Sequence, residues 1–170
     1  MDRQSEAFQE LLNLMELEQL EVNMFRGESR DIGTKRVFGG QILAQSLLAA
    51  CHTVEDRLPH SLHGYFLRAG DHTAPVVYTV DRSRDGRSFS ARRVLAIQHG
   101  QPIFTFAASF QVEEKGLEHQ FEMPDAKAPE AAEPIEQLDR EEFEQLPMNL
   151  QRWLDRFGPF EFRASRGGDP

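Results

Sequence analysis

The sequence has little of several features that mark particular kinds of protein. Cys51 is the only cysteine, which excludes an internal disulfide and a cysteine-rich metal site and fits a reducing cytoplasm. No apolar run approaches the roughly 18 residues that span a bilayer. The first six residues lack the basic-then-apolar pattern of a signal peptide. The sequence therefore predicts a cytoplasmic protein with no membrane span.

Motifs for metals, nucleotides and nucleic acids are also missing. The six histidines have no metal-ligand spacing on a helix, and His60 and His63 lie three apart on a predicted strand, so they face opposite sides of it. We find no P-loop, Rossmann or nucleophile-elbow signature. There is no basic stripe with interleaved aromatics of the kind that binds nucleic acid. We therefore expect no metal, no cofactor and no nucleic-acid partner.

The net charge of −9 is concentrated in one segment. Residues 113–145 contain twelve acidic and three basic residues, whereas the region from Arg57 to Arg93 contains seven arginines and three aspartates. Three prolines interrupt the acidic segment and Pro147 follows it, and the segment has no sheet periodicity. We predict a domain over residues 1–115, an acidic Pro-rich linker over 116–147, and a short helix followed by a strand-like start within 148–170.

Residues 37–51 predict the helix around which the rest of the chain is organised. Gly39 and Gly40 open it, and the following run is apolar except for Gln41, Gln45 and Ser46. Its length and its Ala and Leu content favour a helix, and a helix apolar on nearly every side is normally buried. Because Gln41 and Gln45 are four residues apart, we expect them to share a face that looks towards a cleft.

The helix is flanked by strand-like segments. An amphipathic helix over 7–19 and a strand over 20–25 come first, and runs at 60–68, 75–84, 87–98 and 101–112 follow. Asp85-Gly86 predicts a primed hairpin turn, and His99-Gly100 marks another turn. The alternation predicts three strand faces: Val76, Tyr78 and Val80; Phe89, Ala91, Arg93, Leu95 and Ile97; and Phe104, Phe106, Ala108, Phe110 and Val112. This order predicts an α+β domain in which an antiparallel meander curls round one buried helix, the hotdog arrangement.

Several residues allow both a structural and a functional interpretation. Gly39-Gly40 either permits close packing at the helix start or leaves backbone amides free to polarise a carbonyl or hold an oxyanion. Asp31 is either a loop cap or a general base.

Two positions on the last strands are similarly open. Arg92 and Arg93 point to opposite faces, so they are ordinary charges unless one of them contacts a phosphate. Gln111 lies on the polar face of the last strand, where it is either solvated or orients a water.

The chain resembles the N-terminal half of acyl-CoA thioesterase II over about residues 11–123. The similarity is carried by motifs in a fixed order: Met24 to Gly27, Val37 to Gln41, His60 to Asp71, Arg84 to Val94, Ile97-Gln98 and Ala108 to Gln111.

The resemblance implies two hotdog repeats that hydrolyse fatty acyl-CoA to free fatty acid and CoA without a metal. It also implies that the catalytic Asp, Thr or Ser, and Gln lie in a second repeat, of which residues 160–163 would be the start. No position of this chain matches that set, so we expect this chain alone to be inactive.

Substrate-binding residues follow from the resemblance and the patterns together. We expect substrate contacts from Phe38, Gly39, Gly40 and Gln41 at the helix start. Gln111 occupies the position in this repeat that the catalytic glutamine would occupy in the second repeat by pseudo-symmetry. Arg68, Arg92 and Arg93 are the candidates for contacts with the phosphates of CoA.

Other hypotheses remain open at this point. The chain could be a complete, non-catalytic module for acyl-CoA binding or dimerisation. It could also be a self-paired single hotdog in which Asp31 or Gln111 of one subunit faces Gly40 of the other. In each case we expect a homo-oligomer or pairing with a second repeat, because a lone repeat leaves sheet edges exposed.

Overall fold

The computed structural model describes residues 3–30, 36–125, 128–134, 140–145, 147–148, 151 and 160–164. They belong to two compact units, one formed by Leu12–Lys115 and the other by Met1–Leu11 together with Gly116–Pro170. Within the described ranges no helix is long and apolar enough to cross a membrane.

The larger unit contains one central helix and an antiparallel sheet, which confirms the predicted α+β class. Helix α1 (Arg3–Met15), whose residues up to Leu11 belong to the smaller unit, is followed by strands β1 (Glu18–Glu21) and β2 (Met24–Gly27), helix α2 (Gly39–Cys51), and strands β3 (Leu58–Phe66), β4 (Val76–Asp85), β5 (Phe89–Gln98) and β6 (Gln101–Gln111). Six strands form one sheet in the order β1-β2-β4-β5-β6-β3, with every pair antiparallel.

The position of β3 differs from the predicted meander. Strands β4, β5 and β6 are successive neighbours as expected, but β3 lies at the far edge and pairs with β6 instead of β4. The segment that connects β3 to β4 crosses beside the start of α2, where the Val37 amide donates to the Gly70 carbonyl at 3.0 Å. This crossing brings β4 beside β2.

The N-terminal region also differs from the sequence prediction. Helix α1 ends at Met15 and not at residue 19, and the single strand predicted over 20–25 is a hairpin of β1 and β2. The turn between them is fixed locally, since the Val22 amide donates to Glu21 Oε1 at 3.0 Å. Across the hairpin, Arg26 and Glu18 form an ion pair at 2.6 Å.

The primed turn lies at His99-Gly100 and not at Asp85-Gly86. His99 and Gly100 have φ of 49° and 71°, the two positive values that such a turn requires. Asp85 remains in β4 opposite Ser90, and Gly86 has no positive φ. The loop is longer than predicted, and the Gly86 amide donates to the Phe89 carbonyl at 2.8 Å.

The inner surface of the sheet packs on α2. The predicted faces of β4 and β6 are both buried, with the β6 phenylalanines 2% exposed or less. Strand β5 alternates as predicted, and the more polar of its two faces is the one turned inwards. Its buried side chains are Ser90, Arg92, Val94, Ala96 and Gln98, and the more apolar face points outwards. Polar side chains are tolerated inside because Arg92 and Gln98 have hydrogen-bond partners there.

The smaller unit contains short elements, of which all but the last lie within the predicted linker. A 3₁₀ turn (Pro129–Ala131), strand β7 (Glu133–Pro134), helix α3 (Arg140–Gln145) and strand β8 (Arg163–Ala164) are present. Strands β7 and β8 pair antiparallel, and the Arg163 guanidinium donates to the carbonyls of Pro129, Glu130 and Ala132. Most of the helix predicted over 148–157 lies outside the described residues.

Candidate active site

Helix α2 begins without a side-chain cap. Its N-cap residue is Phe38, in an extended conformation with φ −65° and ψ 130°, and no side chain accepts from the first helical amides. The first helical hydrogen bonds run from Gln41 and Ile42 to the Phe38 carbonyl. Among the described residues the amides of Gly39 and Gly40 have no acceptor. The positive end of the helix dipole therefore presents free donors to a carbonyl oxygen or an anion.

The two glycines also leave room for neighbouring aromatic rings. A Cβ atom on Gly39 would lie 3.0 Å from Cζ of Phe66, on the edge strand β3. A Cβ atom on Gly40 would lie 2.5 Å from Cε1 of Phe38. The structural and the functional interpretations are therefore compatible, because the same missing side chains admit the two rings and leave the helix start unobstructed.

An open cleft of about 430 Å³ lies beside this helix start. Its floor is mostly apolar and includes Ile42, Phe66 and Ile103, while the basic residues Arg36 and Arg68 also line it. Among the described lining residues there is no carboxylate, histidine or cysteine. The cleft can accept an apolar chain with an anionic group, but its described lining offers no general base.

Gln41 and Gln45 are buried, at 5% and 0% exposure, so the prediction that they look towards a cleft was wrong. Gln45 Nε2 donates to the carbonyls of Leu14 and Glu28 at 2.7 and 3.1 Å, and its Oε1 accepts from the Tyr78 hydroxyl at 2.6 Å. Gln41 Nε2 donates to the same Glu28 carbonyl at 2.9 Å. This network fixes α2 against the end of β2 and the last turn of α1.

The Tyr78 hydroxyl serves this network as a donor. Burial raises the pKa of Tyr78, so its proton is retained over the working pH range of the protein. The Oε1 atom of Gln41, in contrast, has no partner among the described residues.

Gln98 holds the loop that forms one wall of the cleft. Its Nε2 donates to the carbonyls of Asp71 and Ala74 at 2.8 and 2.7 Å, and its Oε1 accepts from the Asp71 amide at 2.8 Å. Ala69 and Gly70, just before this loop, line the cleft. Sequence reasoning did not identify this role, because a glutamine at a strand end is usually solvated.

Asp71 stabilises the same loop from outside. Its carboxylate accepts from the Thr73 hydroxyl and amide at 2.7 and 2.9 Å, and His99 Nε2 lies 3.0 Å away. These hydrogen bonds, those from Thr73 first, lower the pKa of Asp71 to about 2.

Arg92 is buried, with 2% of its surface exposed, and its guanidinium is engaged inside the protein. Nε and Nη2 donate to the hydroxyl and the carbonyl of Thr53 at 2.8 and 2.9 Å. Nη2 also reaches Asp85 at 2.6 Å, and Nη1 donates to the carbonyls of Arg84 and Ala91. The hydrogen bond from Arg92 is the main cause that lowers the pKa of Asp85. This arrangement leaves Arg92 little capacity for a phosphate.

The other predicted residues are spread over the sheet. Arg68 lines the cleft and donates to the Pro102 carbonyl at 2.6 Å. Arg93 is exposed in the middle of β5. Gln111 is at the end of β6, seven residues beyond Phe104, a separation of about 24 Å along a strand. The structure therefore brings Gly39 and Arg68 to one cleft and keeps Arg93 and Gln111 away from it.

Two further points concern the remaining candidates. Asp31 lies outside the described residues. In the described part of the chain, no group of three or more His, Cys, Asp or Glu side chains could hold a metal ion.

The fold and the helix start define a class of protein. The family of the acyl-CoA thioesterase N-terminal domain matches residues 26–111, which is half of the chain, so this chain belongs to that family. The resemblance found in the motifs is thereby confirmed.

Relatives and solved structures agree with this assignment. The chain is 43% identical over 167 residues to acyl-CoA thioesterase 2 of Haemophilus influenzae, a match that covers 98% of this chain and 58% of that protein. A tesB protein of Mycobacterium avium subspecies paratuberculosis is 39% identical, with a TM-score of 0.69 over 74% of this chain and 50% of that one. The chain thus spans little more than half of these relatives.

A more distant structure supports the fold alone. A protein from Alicyclobacillus acidocaldarius, described as having a hot dog fold, is 22% identical with a TM-score of 0.66, covering 84% of this chain and 51% of that one. The predicted hotdog arrangement is confirmed.

Proposed function

We propose that this chain is the first hotdog repeat of an acyl-CoA thioesterase, which hydrolyses fatty acyl-CoA to free fatty acid and CoA. The observation that carries the proposal is the uncapped start of α2 beside the apolar cleft. The amides of Gly39 and Gly40 are donors for the thioester carbonyl, and they would hold the negative charge that develops on its oxygen during attack by water. Ile42 and Phe66 offer apolar contacts to the acyl part of the substrate.

The anionic part of the substrate is assigned to the basic residues of the cleft. Arg36 and Arg68 line it, and guanidinium groups bind phosphate oxygens through charge-assisted hydrogen bonds. Of the arginines predicted for the phosphates of CoA, Arg68 is thus the best supported by position. Phe38, Gly40 and Gln41 belong to the proposed site as neighbours of the helix start. For Arg93 and Gln111 a role in substrate binding requires a surface outside this cleft.

Hydrolysis itself is assigned to a second repeat. No described residue of the cleft lining is able to activate a water, which is consistent with a catalytic Asp, Thr or Ser, and Gln supplied by a partner repeat. We propose that residues 1–115 form the first repeat, that 116–147 connect the repeats, and that 148–170 include the start of the second. A cytoplasmic setting is supported by the single cysteine.

The partner repeat is proposed to pair along β3. This strand is the edge of the sheet, and its nine residues include no Asp, Glu, Lys or Arg. Leu58, Tyr65 and Phe66 on it are 60–70% exposed. An edge of this length without charged residues is a surface for strand addition, so we propose that either a second repeat or a second copy of the chain pairs there.

A second candidate function is acyl-CoA binding without catalysis. The lack of a general base in the described cleft lining favours it for this chain in isolation.

The test combines intact mass with thiol release. The mass of the protein from its source is compared with that of this chain, and release of CoA from medium- and long-chain acyl-CoA is followed with a thiol reagent. In the protein as its source produces it, Gly39→Ala should lower kcat/KM by about tenfold or more, because the new methyl group displaces Phe66 at the cleft. Gly116→Ala is the matched control, since no described atom lies within 4 Å of its Cβ position.

Two results would overturn the proposal. If the protein from its source releases no thiol but the chain binds acyl-CoA in calorimetry, the non-catalytic function replaces it. If Gly39→Ala hydrolyses substrate at the rate of the Gly116→Ala control, the helix start is not the site.

A further inference from the structure

A second cleft lies on the outer side of the sheet, away from the start of α2. It encloses about 500 Å³ and is lined by the β4–β5 loop and by Ser109 on β6. Ser109 is five residues beyond Phe104, so its side chain points to the opposite face of the sheet at a distance of about 17 Å along the strand. The second cleft is therefore separate from the candidate active site.

The loop at this cleft carries two guanidinium groups that no described residue neutralises. The side chains of Arg84 and Arg87 line the cleft and have no hydrogen bond or ion pair with any described residue. The only carboxylate beside them on the loop, Asp85, is paired with Arg92. The Arg84 side chain lies over Gly86, where an added Cβ would be 3.3 Å from Nε.

The loop is held from behind by a third guanidinium. Arg57 Nη2 donates to the Gly86 and Arg87 carbonyls at 2.9 and 3.3 Å. Because its hydrogen bonds fix the backbone, Arg57 keeps the two free side chains together without using them. In an acidic protein, this local excess of positive charge is a site for an anion.

Hydroxyl groups and an aromatic ring complete the cleft. Ser109 Oγ lies 2.8 Å from His60 Nε2, and Ser88 lines the cleft while donating to Glu114 Oε1 at 2.8 Å. The Phe89 ring is 45% exposed and meets His60 edge-on, with their centroids 5.7 Å apart. Its open face is available for stacking a flat heterocycle.

Shifts in the pairing register of two strands lie beside this cleft. The pairing register of β3 shifts between Pro59 and Ser61, and that of β4 shifts between Asp81 and Arg84. Bulges of this kind re-aim side chains and are frequent beside binding sites. The first shift lies at His60 and the second immediately precedes Arg84.

We propose that the outer cleft binds a phosphate-bearing nucleotide. Its phosphate lies between Arg84 and Arg87, within reach of the Ser109 hydroxyl, and its base stacks on Phe89. Two sources share this chemistry: a free nucleotide, and the phosphorylated ADP portion of a coenzyme A molecule other than the substrate whose phosphates are assigned to Arg36 and Arg68. The proposal rests on the outer cleft alone and is independent of hydrolysis at the start of α2.

The experiment is isothermal titration calorimetry of the protein with ADP, 3′,5′-ADP, CoA and pantetheine, which has no phosphate. We expect nucleotide binding that weakens as salt is raised from about 50 to 300 mM, because exposed charges are screened, and no binding of pantetheine to this cleft. Arg84→Gln/Arg87→Gln should weaken binding at least about tenfold, as expected for lost hydrogen bonds to a charged group.

The matched control removes the same charge elsewhere. Arg26→Gln/Arg30→Gln alters two exposed arginines that do not line the outer cleft, and should change the affinity by less than about twofold. Circular dichroism of both double variants checks that they are folded. Chemical-shift changes of Ala91 and Ser109 on titration locate the ligand.

The outcomes distinguish a free nucleotide from coenzyme A as the ligand, and they show whether the proposal fails. Equal affinity for ADP and CoA identifies a free nucleotide, whereas binding of only 3′,5′-ADP and CoA identifies the coenzyme portion. The proposal is overturned if no nucleotide binds at millimolar concentration, or if both double variants lose the same affinity. Thiol release measured in parallel reports on the other cleft, so failure here leaves the thioesterase proposal intact.

Discussion

The buried guanidinium of Arg92 allows a sharp prediction about stability. Arg92→Lys retains the charge but replaces five directed donors on three nitrogens by three donors on one. The guanidinium makes five hydrogen bonds, to Thr53 twice and to Asp85, Arg84 and Ala91. A lysine therefore loses at least two of them.

The magnitude follows from which bonds are lost. A hydrogen bond to a charged group contributes about 1.5–3 kcal/mol, so two lost bonds correspond to about 3–6 kcal/mol. We expect the lower end, about 3 kcal/mol, because Asp85 is half exposed and water compensates there. For a chain of this size, the same loss lowers the Tm by about 6–12 °C.

The assay is urea unfolding followed by circular dichroism, with Arg93→Lys as the control. Arg93 is adjacent but exposed, so its substitution should change the free energy of unfolding by less than about 0.5 kcal/mol. Thr53→Val removes the hydroxyl that accepts from Arg92 Nε and donates to the Ala50 carbonyl, so it should cost about 2–4 kcal/mol, and it remains informative if Arg92→Lys does not fold. Equal effects of the two lysine substitutions would refute the reasoning.

Two further predictions concern the polar interior and acid stability. Tyr78→Phe should lower the free energy of unfolding by about 1–2 kcal/mol, since it leaves the fully buried Gln45 Oε1 without its donor. Tyr65→Phe, at an exposed site, is the control, and equal urea midpoints would contradict the role of the network. For Asp71, whose folded pKa is about 2 against an ordinary value of 3.8, the carboxylate stabilises the fold above about pH 4, and this stabilisation is lost as the pH falls towards 2. The stability advantage of the native protein over Asp71→Asn should shrink over that window in acid unfolding monitored by circular dichroism. A carbon NMR titration of Asp71 with a midpoint near 4 would show that its pKa is not lowered in the folded protein and would exclude this contribution to acid stability.

The sequence was sufficient for the parts of the fold that depend on composition and period. Helix α2 and strands β4 and β6 follow from an unbroken apolar run and from strict alternation, because burial of apolar surface dominates their placement. The face of β5 could not be predicted in this way. Its inward side holds Arg92 and Gln98, and their burial is decided by partners at distant positions, Thr53 and the loop around Asp71.

The edge position of β3 was also beyond the sequence argument. Alternation identifies a strand but not its neighbour, and at the start of α2 the crossing joins residues distant in sequence, as in the backbone hydrogen bond from Val37 to Gly70. For the candidate site, the glycine pair and Arg68 were predicted. Arg36, Phe66 and Gln98 were not, since each lines or supports the cleft only because the crossing brings distant segments together.

The glutamine pair in α2 has a consequence for how uniquely the chain packs. A helix that is apolar on nearly every side can be rotated about its axis with little change in buried area, so the hydrophobic effect alone selects no single orientation. Gln41 and Gln45 remove this freedom, because only one rotation brings their amide groups to the carbonyls of Leu14 and Glu28 and to the Tyr78 hydroxyl. Every other rotation would bury unpaired amides at a cost of about 1–3 kcal/mol each. The glycine amides at the helix start are thereby held at one angle to the cleft, so two buried glutamine amides set the direction in which the donors of the helix start point.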